Sequence, residues 1–299
     1  MMQQDDADFE LRWVALSLSL NIGRKSLDKL LNRFDGDLSV LLAAPRHELL
    51  RVPGIGVKLA GKIAAIDLDE VAAALRRWQQ QGIAILTPRH PQYPGPLREL
   101  DDAPVLLFAR GCLDDQLWTR TVAVLGTREP SSTGRNLTQE LATELARAGI
   151  TVVSGLALGI DTAAHTSALD EGTATVAVLG SGLLNVYPPH NRGLASQIEQ
   201  RGLMLCEAQP QQAVSAQRLV ARNRIISGLA NQVVLVESQL GGGAMHALRF
   251  AKAQGRPIFT FDLPASGNQA ALQNGANKLC AEDPLSALLG TGSKLSAGK

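Results

Sequence analysis

The spacing of apolar residues divides the chain into two parts. In the first part the apolar positions recur at helical spacing, as at Leu27, Leu30, Leu31 and Phe34, with short glycine or proline breaks between segments. This pattern predicts a small helical domain over residues 1–82. Further along the chain, short β-branched runs alternate with helical stretches. That second pattern is typical of an α/β fold.

The second pattern predicts a parallel sheet. Strands that alternate with helices of about 10 to 15 residues need crossover connections and therefore align in parallel. We expect an α/β fold over residues 83–290, a Rossmann-like sheet of about six strands with helices on both faces, and a flexible tail at 291–299. Two shorter runs, Ile83–Leu86 and Val105–Phe108, predict strands on either side of a proline-rich connector. The six main strands are predicted at Val122–Leu125, Thr151–Val153, Thr175–Leu179, Leu203–Cys206, Val233–Glu237 and Pro257–Thr260.

Composition supports a folded protein and constrains its partners. Of the 299 residues 45% are hydrophobic, and the mean hydropathy is +0.03, which excludes disorder or a collagen-like repeat as the main content. The net charge is only +1, so nucleic-acid binding requires a local basic cluster rather than a basic chain.

The sequence favours a protein of the reducing cytosol. Cys112, Cys206 and Cys280 lie too far apart for a disulfide framework or a CxxC metal pair. The first ten residues carry four acidic and no basic side chains, unlike a secretory signal. No apolar run approaches the ~20 residues of a membrane span. We expect a cytoplasmic protein that uses neither a metal nor a membrane.

A glycine-rich turn in the helical part is a candidate for a secondary DNA contact. The segment Pro53-Gly54-Ile55-Gly56 predicts a tight turn between two short helices and resembles a helix-hairpin-helix. Backbone N–H groups at the start of the second helix suit a phosphate oxygen. Lys58 and Lys62 lie one turn apart on that helix. The alternative is a plain αα-corner with solvated lysines, which the acidic balance of residues 1–118 favours.

The loops after the predicted strands carry the main candidate chemistry. In open α/β sheets, ligands bind beyond the carboxyl ends of the strands. Glycine lets an anion approach the backbone there, and helix N-termini offer unpaired N–H groups. Tight strand-to-helix turns are the alternative explanation of the glycines. The candidate phosphate-binding residues in three such loops are Gly126, Thr127, Arg128, Gly134, Arg135, Ser154, Gly155, Gly159, Asp161, Gly241, Gly242 and Gly243.

A basic triplet strengthens the phosphate hypothesis. Arg222-Asn223-Arg224 places two guanidinium groups close together ahead of an apolar run. With Arg128 these residues predict a phosphate cradle across the strand ends. Neither the P-loop nor the dinucleotide fingerprint is present.

Signals for an enzyme are weak. The chain has no HExxH or GxSxG motif, and its five histidines are scattered. His165 follows Asp161 by four residues, but a hydrogen-bonded structural histidine is the favoured interpretation. We therefore expect a binding protein with no catalytic residues and no cofactor.

Several motifs occur between residues ~90 and 280: Tyr93-Pro94, Ala103–Phe108, Gly126-Thr127-Arg128, Ser154–Asp161 with Ala164-His165, Tyr187-Pro188 with Asn191, and Arg222–Ile226. In their order and spacing they resemble the DprA/Smf family of DNA-processing proteins. The resemblance implies an extended Rossmann domain that forms a homodimer, binds single-stranded DNA without sequence preference and loads RecA onto it in natural transformation. It places the DNA pocket at Arg128, Arg222, Asn223, Arg224 and the glycine loops.

The chain departs from the family pattern in several places, and two of them concern the expected DNA pocket. The aromatic residue that usually stands three positions before the Arg-Asn-Arg triplet is Leu219 here, and Gly241-Gly242-Gly243 replaces a usual Ser-Gly-Ser. Stacking on an aromatic ring is worth about 1–3 kcal/mol per base, so DNA binding is predicted to rest on charge. Tyr187 is expected to pack against the domain's own helices.

These departures keep a second hypothesis open. The same fold subtype resembles the lysine-decarboxylase-like phosphoribohydrolases, so a nucleotide sensor or a nucleotide N-glycosidic hydrolase is the alternative function. The segment Gly241–Met245 lacks the threonine of that family's loop, and the positions after it lack the catalytic glutamate. A purely structural partner-binding module is a third possibility, but it leaves three glycine-rich loops unexplained.

Overall fold

The two apolar patterns fold into two separate units. A computed structural model describes residues 2–20 and 24–290, and the predicted tail at 291–299 lies outside them. The first unit takes in the described residues up to Tyr93 together with Arg98–Phe108. The second takes in Pro94–Leu97 and the described residues from Ala109 onward. The sequence-based domain boundary after residue 82 stays a prediction.

The first unit is helical, and its core follows the predicted spacing. Leu27 and Leu30 are fully buried, and Phe34 is nearly so. Asp37 caps one helix by accepting hydrogen bonds from the backbone N–H groups of the first turn. The elements are α1 (Met2–Leu20), α2 (Arg24–Arg33), α3 (Leu38–Ala43), α4 (Arg46–Leu49), α5 (Val57–Ala64), α6 (Leu68–Gln80) and β1 (Ala84–Leu86).

The predicted hairpin joins α4 to α5. Gly54 has φ +93°, a left-handed conformation that glycine adopts without strain, and it makes the turn possible. Gly56 occupies the N-cap position of α5 and gives it no side-chain cap. Lys58 and Lys62 are both exposed. The hairpin therefore has the geometry that its sequence predicts, and a DNA contact through it stays a proposal.

The second unit alternates strands with helices. The strands are buried because β-branched and leucine side chains occupy both faces, as the predicted parallel arrangement requires. Its elements, with the short β2 that begins in the first unit, are α7 (Gly95–Arg98), β2 (Leu107–Gly111), β3 (Thr121–Leu125), α8 (Ser132–Arg147), β4 (Thr151–Ser154), α9 (Ile160–Asp170), β5 (Thr175–Leu179), α10 (Arg192–Arg201), β6 (Leu203–Cys206), α11 (Ala216–Ala221), α12 (Asn223–Leu229), β7 (Gln232–Leu235), α13 (Ala244–Ala253), β8 (Ile258–Phe261), α14 (Ser266–Gln273), β9 (Asn277–Leu279) and α15 (Pro284–Gly290).

The strand order positions the candidate functional site. Within the second unit it is β6-β5-β4-β3-β7-β8-β9, and every neighbouring pair is parallel. The chain runs from β3 outward in one direction and then returns to β7 to build the other half. The order therefore reverses between β3 and β7, which is where open parallel sheets form a ligand crevice. The predicted α/β fold is confirmed.

A hydrophobic core lies between this sheet and the helices that cover it. Leu141 and Leu145 of α8 are fully buried against strand residues such as Val152 and Val234. Each buried leucine contributes about 1.5–3 kcal/mol relative to an exposed one. The packing holds the strand ends, and the loops that follow them, in fixed positions. Of the described helices, none is both long and apolar enough to cross a bilayer.

Candidate functional site

A cavity of about 520 Å³ opens at the carboxyl ends of β3 and β7. Ligand pockets are typically 300–1,000 Å³, so this volume suits a ligand of about nucleotide size. The loops after both strands line it, together with the first turn of α12. Eight of the residues predicted from the sequence line this cavity: Gly126, Thr127, Arg128, Asp161, Arg222, Asn223, Gly242 and Gly243.

Arg128 is the exposed basic group of this cavity. Its loop is fixed by the backbone, since the Thr127 N–H donates to the Glu237 carbonyl at 2.7 Å and the Ile160 N–H donates to the Thr127 carbonyl at 3.1 Å. Within the described part of the chain, the Arg128 guanidinium forms no hydrogen bond or ion pair. The side chain is therefore free to meet an anion.

Arg222 has a different environment, because its guanidinium is buried. Nη1 donates to the carbonyl oxygens of Gly155 and Val178, which lie near the ends of β4 and β5. Nη2 lies 3.9 Å from Oδ2 of Asp161. Burial lowers the pKa of Arg222, an effect that Asp161 opposes and Arg128 reinforces. Arg222 therefore links the ends of β4 and β5. Only a small part of its side chain is accessible on the cavity wall.

Asp161 completes this buried pair. Its carboxylate accepts hydrogen bonds from the N–H groups of Gly155 and Ala157, at 3.1 and 3.2 Å. Burial raises the pKa of Asp161, whereas the Arg222 charge and these two hydrogen bonds lower it. The pair cancels most of its own charge, so the field in the cavity is set mainly by Arg128.

Other predicted site residues lie elsewhere. Arg224 forms an ion pair with Glu207, at 2.5 Å between Nη2 and Oε1, and does not line the cavity. Arg135 is exposed on α8 and does not line it either. The structure therefore separates Arg222 from Arg224, because residues two apart on a helix point in different directions. Of the three arginines that the sequence predicted to form a phosphate cradle, the exposed Arg128 and the buried Arg222 line the cavity, and Arg224 does not.

Close packing explains several of the glycines. A Cβ on Gly155 would overlap the Arg222 guanidinium, and one on Gly134 would overlap the Glu237 carboxylate. Gly159 has φ +78°, and a Cβ there would overlap the Thr127 carbonyl oxygen. Ser154, at the end of β4, donates its hydroxyl to the Val124 carbonyl inside the sheet. These residues shape the loops, so they are not by themselves evidence for phosphate.

The third glycine run is open at two of its three positions. An added Cβ at Gly241 or Gly243 would meet no atom within 4 Å, and at Gly242 it would meet the Ser238 hydroxyl and the Gln239 carbonyl. Gly242 and Gly243 line the cavity, and Gly241 does not. Close packing therefore explains Gly242 and leaves Gly243 as the open glycine on the cavity wall.

Comparison with known proteins identifies the family. Residues 84–290 match the family of DNA recombination-mediator protein A. The chain belongs to this family. Protein Smf from Synechocystis sp. is 35% identical over 289 residues, which cover 93% of this chain and 72% of that protein.

Solved structures of the DprA family share the fold. DNA processing protein A from Streptococcus pneumoniae has a TM-score of 0.78 at 28% identity, over 92% of this chain and 97% of that one. DNA processing protein A from Helicobacter pylori, whose structure concerns its single-stranded DNA binding mode, has a TM-score of 0.63 at 29% identity, over 70% of this chain and 96% of that one. The resemblance inferred from the motifs is confirmed.

Two asparagines of this DprA-family chain support the site without having been predicted as site residues. Asn191 donates to the Leu156 carbonyl at 2.9 Å and to the Thr162 hydroxyl at 2.8 Å, and it steadies a loop in which Leu156 has φ +58°. Asn268 accepts from the Ser238 N–H at 2.9 Å and donates to the Val236 carbonyl at 2.7 Å. Asn191 stood in a recognised motif, whereas Asn268 had no sequence signal.

Tyr187 corrects an expectation. The ring was expected to pack inside the domain, but 39% of the residue is exposed. It lines a recess of about 30 Å³ with Arg128, Leu158 and Leu219. The segment after β5 carries the ring to the surface near the strand ends, and periodicity alone does not specify that placement.

His165 is structural, as the sequence predicted. It is fully buried, and its Nδ1 lies 2.8 Å from the Thr175 hydroxyl. Burial, with a smaller effect of the Arg222 charge, lowers the pKa of His165 to about 3. The ring therefore stays neutral in the folded protein.

Stability is expected to fall as the pH drops below 6.5. The unfolded ring takes up a proton near its ordinary pKa of 6.5, and the folded ring does so only at about 3. Protonation therefore favours the unfolded state across this window, by about 2 kcal/mol at about pH 5 relative to about pH 8. Urea denaturation at both pH values measures this. In His165→Asn, which keeps a donor near Thr175, the loss should shrink by that amount; an unchanged pH dependence would contradict the assignment.

Proposed function

We propose that this protein binds single-stranded DNA in the cavity at the carboxyl ends of β3 and β7, here called the strand-end cavity, and acts as a recombination mediator. The observation that carries the proposal is Arg128, an exposed guanidinium without a protein partner among the described residues, on the wall of a cavity of about 520 Å³. Guanidinium groups bind phosphate through charge-assisted hydrogen bonds. The single-stranded DNA binding mode described for the Helicobacter pylori relative supports the same ligand.

The cavity chemistry favours a backbone contact over catalysis. The Asp161 carboxylate is engaged by two N–H groups and lies beside Arg222, so it is poorly placed to act as a free base. Arg128 is left to meet an anion, and phosphate contacts supply affinity without sequence preference. We therefore propose a non-enzymatic role. The nucleotide sensor or N-glycosidic hydrolase is the alternative for the same cavity.

The finer activities are proposals that rest on the family. They are protection of incoming single strands, loading of RecA in transformation or recombination, homodimer formation and a cytoplasmic location. The exposed Lys58 and Lys62 of the hairpin support a secondary DNA contact.

A binding titration tests the proposed ligand. Single-stranded DNA should bind more tightly than duplex, and the affinity should fall as salt rises, because each phosphate contact releases counterions. Unlabelled oligonucleotide should compete strongly and a mononucleotide weakly. Equal affinity for both DNA forms with no salt dependence would contradict the proposal, and stronger competition by the mononucleotide would favour the nucleotide-binding alternative.

A further inference from the structure

The recess that contains Tyr187 adjoins the strand-end cavity. Arg128, Ala157, Leu219 and Arg222 line both, so these four residues form a shared wall. The recess holds about 30 Å³, about the volume of one water molecule, so it does not enclose a base and a base would lie against its rim. A ligand with an anionic group at Arg128 therefore has surface available on two sides of that group.

The recess presents an aromatic ring and an aliphatic side chain to solvent. Tyr187 and Leu158 are each 39% exposed, and both line it. Among the described residues that line the cavity or the recess, Tyr187 is the one Phe, Tyr or Trp. The position at which the family usually has an aromatic residue is Leu219 here. A half-exposed ring beside a free guanidinium offers a flat apolar face and a cation to the same ligand.

The loops that carry these two side chains are tied together. Asn191 follows Tyr187 by four residues, and its side-chain amide donates to the carbonyls of Leu156 and Ala157, at 2.9 and 3.3 Å. Leu158 is the next residue along that loop. The ring and Leu158 are therefore held near each other before any ligand binds, which reduces the entropy lost on binding.

We propose that Tyr187 and Leu158 form a base-stacking subsite for the nucleotide that adjoins the one in the strand-end cavity. The inference rests on the proposed function. The phosphate between two consecutive nucleotides meets Arg128, one base enters the larger cavity, and the next base stacks on the Tyr187 ring. Single strands satisfy this arrangement because their bases are unpaired and free to stack, as every base has a π face.

The test compares a short oligothymidylate with an oligonucleotide of the same length that lacks bases. Both carry the same phosphates, so only stacking separates them. Tyr187→Leu should weaken oligothymidylate binding by about fivefold to a hundredfold, since one stacked base is worth about 1–3 kcal/mol and each 1.4 kcal/mol is a factor of ten. It should leave binding of the abasic strand and the salt slope unchanged, because no phosphate contact is lost. Tyr187→Phe should bind like the parent, since the ring is kept.

Leu184→Ala is the matched control. Leu184 is also exposed, at 37%, but it lines neither cavity, so its removal should leave both affinities unchanged. Thermal melting checks that all variants fold. If the parent binds no single-stranded DNA, the proposed function fails. If the parent binds and Tyr187→Leu matches it, or loses affinity equally for both strands, the stacking subsite fails while the proposed function stands.

Discussion

Arg128→Ala is expected to weaken single-stranded DNA binding by about tenfold to a hundredfold. A hydrogen bond to a charged group is worth about 1.5–3 kcal/mol, and each 1.4 kcal/mol is a factor of ten. Because a phosphate contact releases counterions, the slope of affinity against salt should also fall by about one. Arg128 is exposed and unpaired within the described chain, so stability should change little. Titrations at several salt concentrations measure both effects.

Arg135→Ala is the matched control for that substitution. Arg135 is also an exposed arginine, seven residues further along the chain, but it does not line the cavity. The two variants change the net charge equally. If both weaken binding to the same degree, binding depends on overall charge and the site at Arg128 is contradicted.

Arg222→Ala is expected to lower the free energy of unfolding by about 3–5 kcal/mol. The substitution leaves the buried Asp161 without its counter-charge. It also removes the hydrogen bonds that the guanidinium donates to the Gly155 and Val178 carbonyl oxygens. Loss of one partner of a buried pair costs more than the pair contributes, because a buried charge is left uncompensated. Urea denaturation near neutral pH measures the change.

Arg224→Ala separates this effect from the general loss of an arginine. Its ion pair with Glu207 is partly exposed, with 16% and 34% of the two side chains accessible, so the loss should be about 1 kcal/mol or less. Equal stability of the two variants would show that the burial of Arg222 has no energetic consequence. A combined substitution of both arginines would mix a folding defect with any loss of DNA contact, so it is a poor test of binding.

The sheet was predictable from local sequence because its signal is local. Short β-branched runs separated by helical stretches predict strand–helix–strand crossover units. Each such unit places its two strands in parallel. The missed strand shows the limit of that signal. In β9, two of the three residues, Asn277 and Lys278, are exposed, so an apolar run never forms. Its pairing with β8 is decided by contact between distant segments.

The position of the site was also implied by the sequence, whereas its chemistry was not. Glycine and basic residues after successive strands indicated the edge of the sheet at which the cavity opens, since parallel strands end on one side. Which arginine meets a ligand depends on partners far along the chain: Arg222 is engaged by Asp161, and Arg224 by Glu207. Arg128 has no such partner among the described residues.

The fold class, the family and the edge of the sheet at which the cavity opens follow from the local sequence, because each depends on the order of short segments. Which side chains line that cavity depends on how distant segments pack together. Several glycines are required because a larger residue would overlap a neighbouring group, as at Gly155 beside the Arg222 guanidinium. Tyr187 lies at the surface because the loop after β5 ends beside the loop after β4, where Asn191 joins them. Burial and pairing are properties of the folded chain, and no periodicity encodes them.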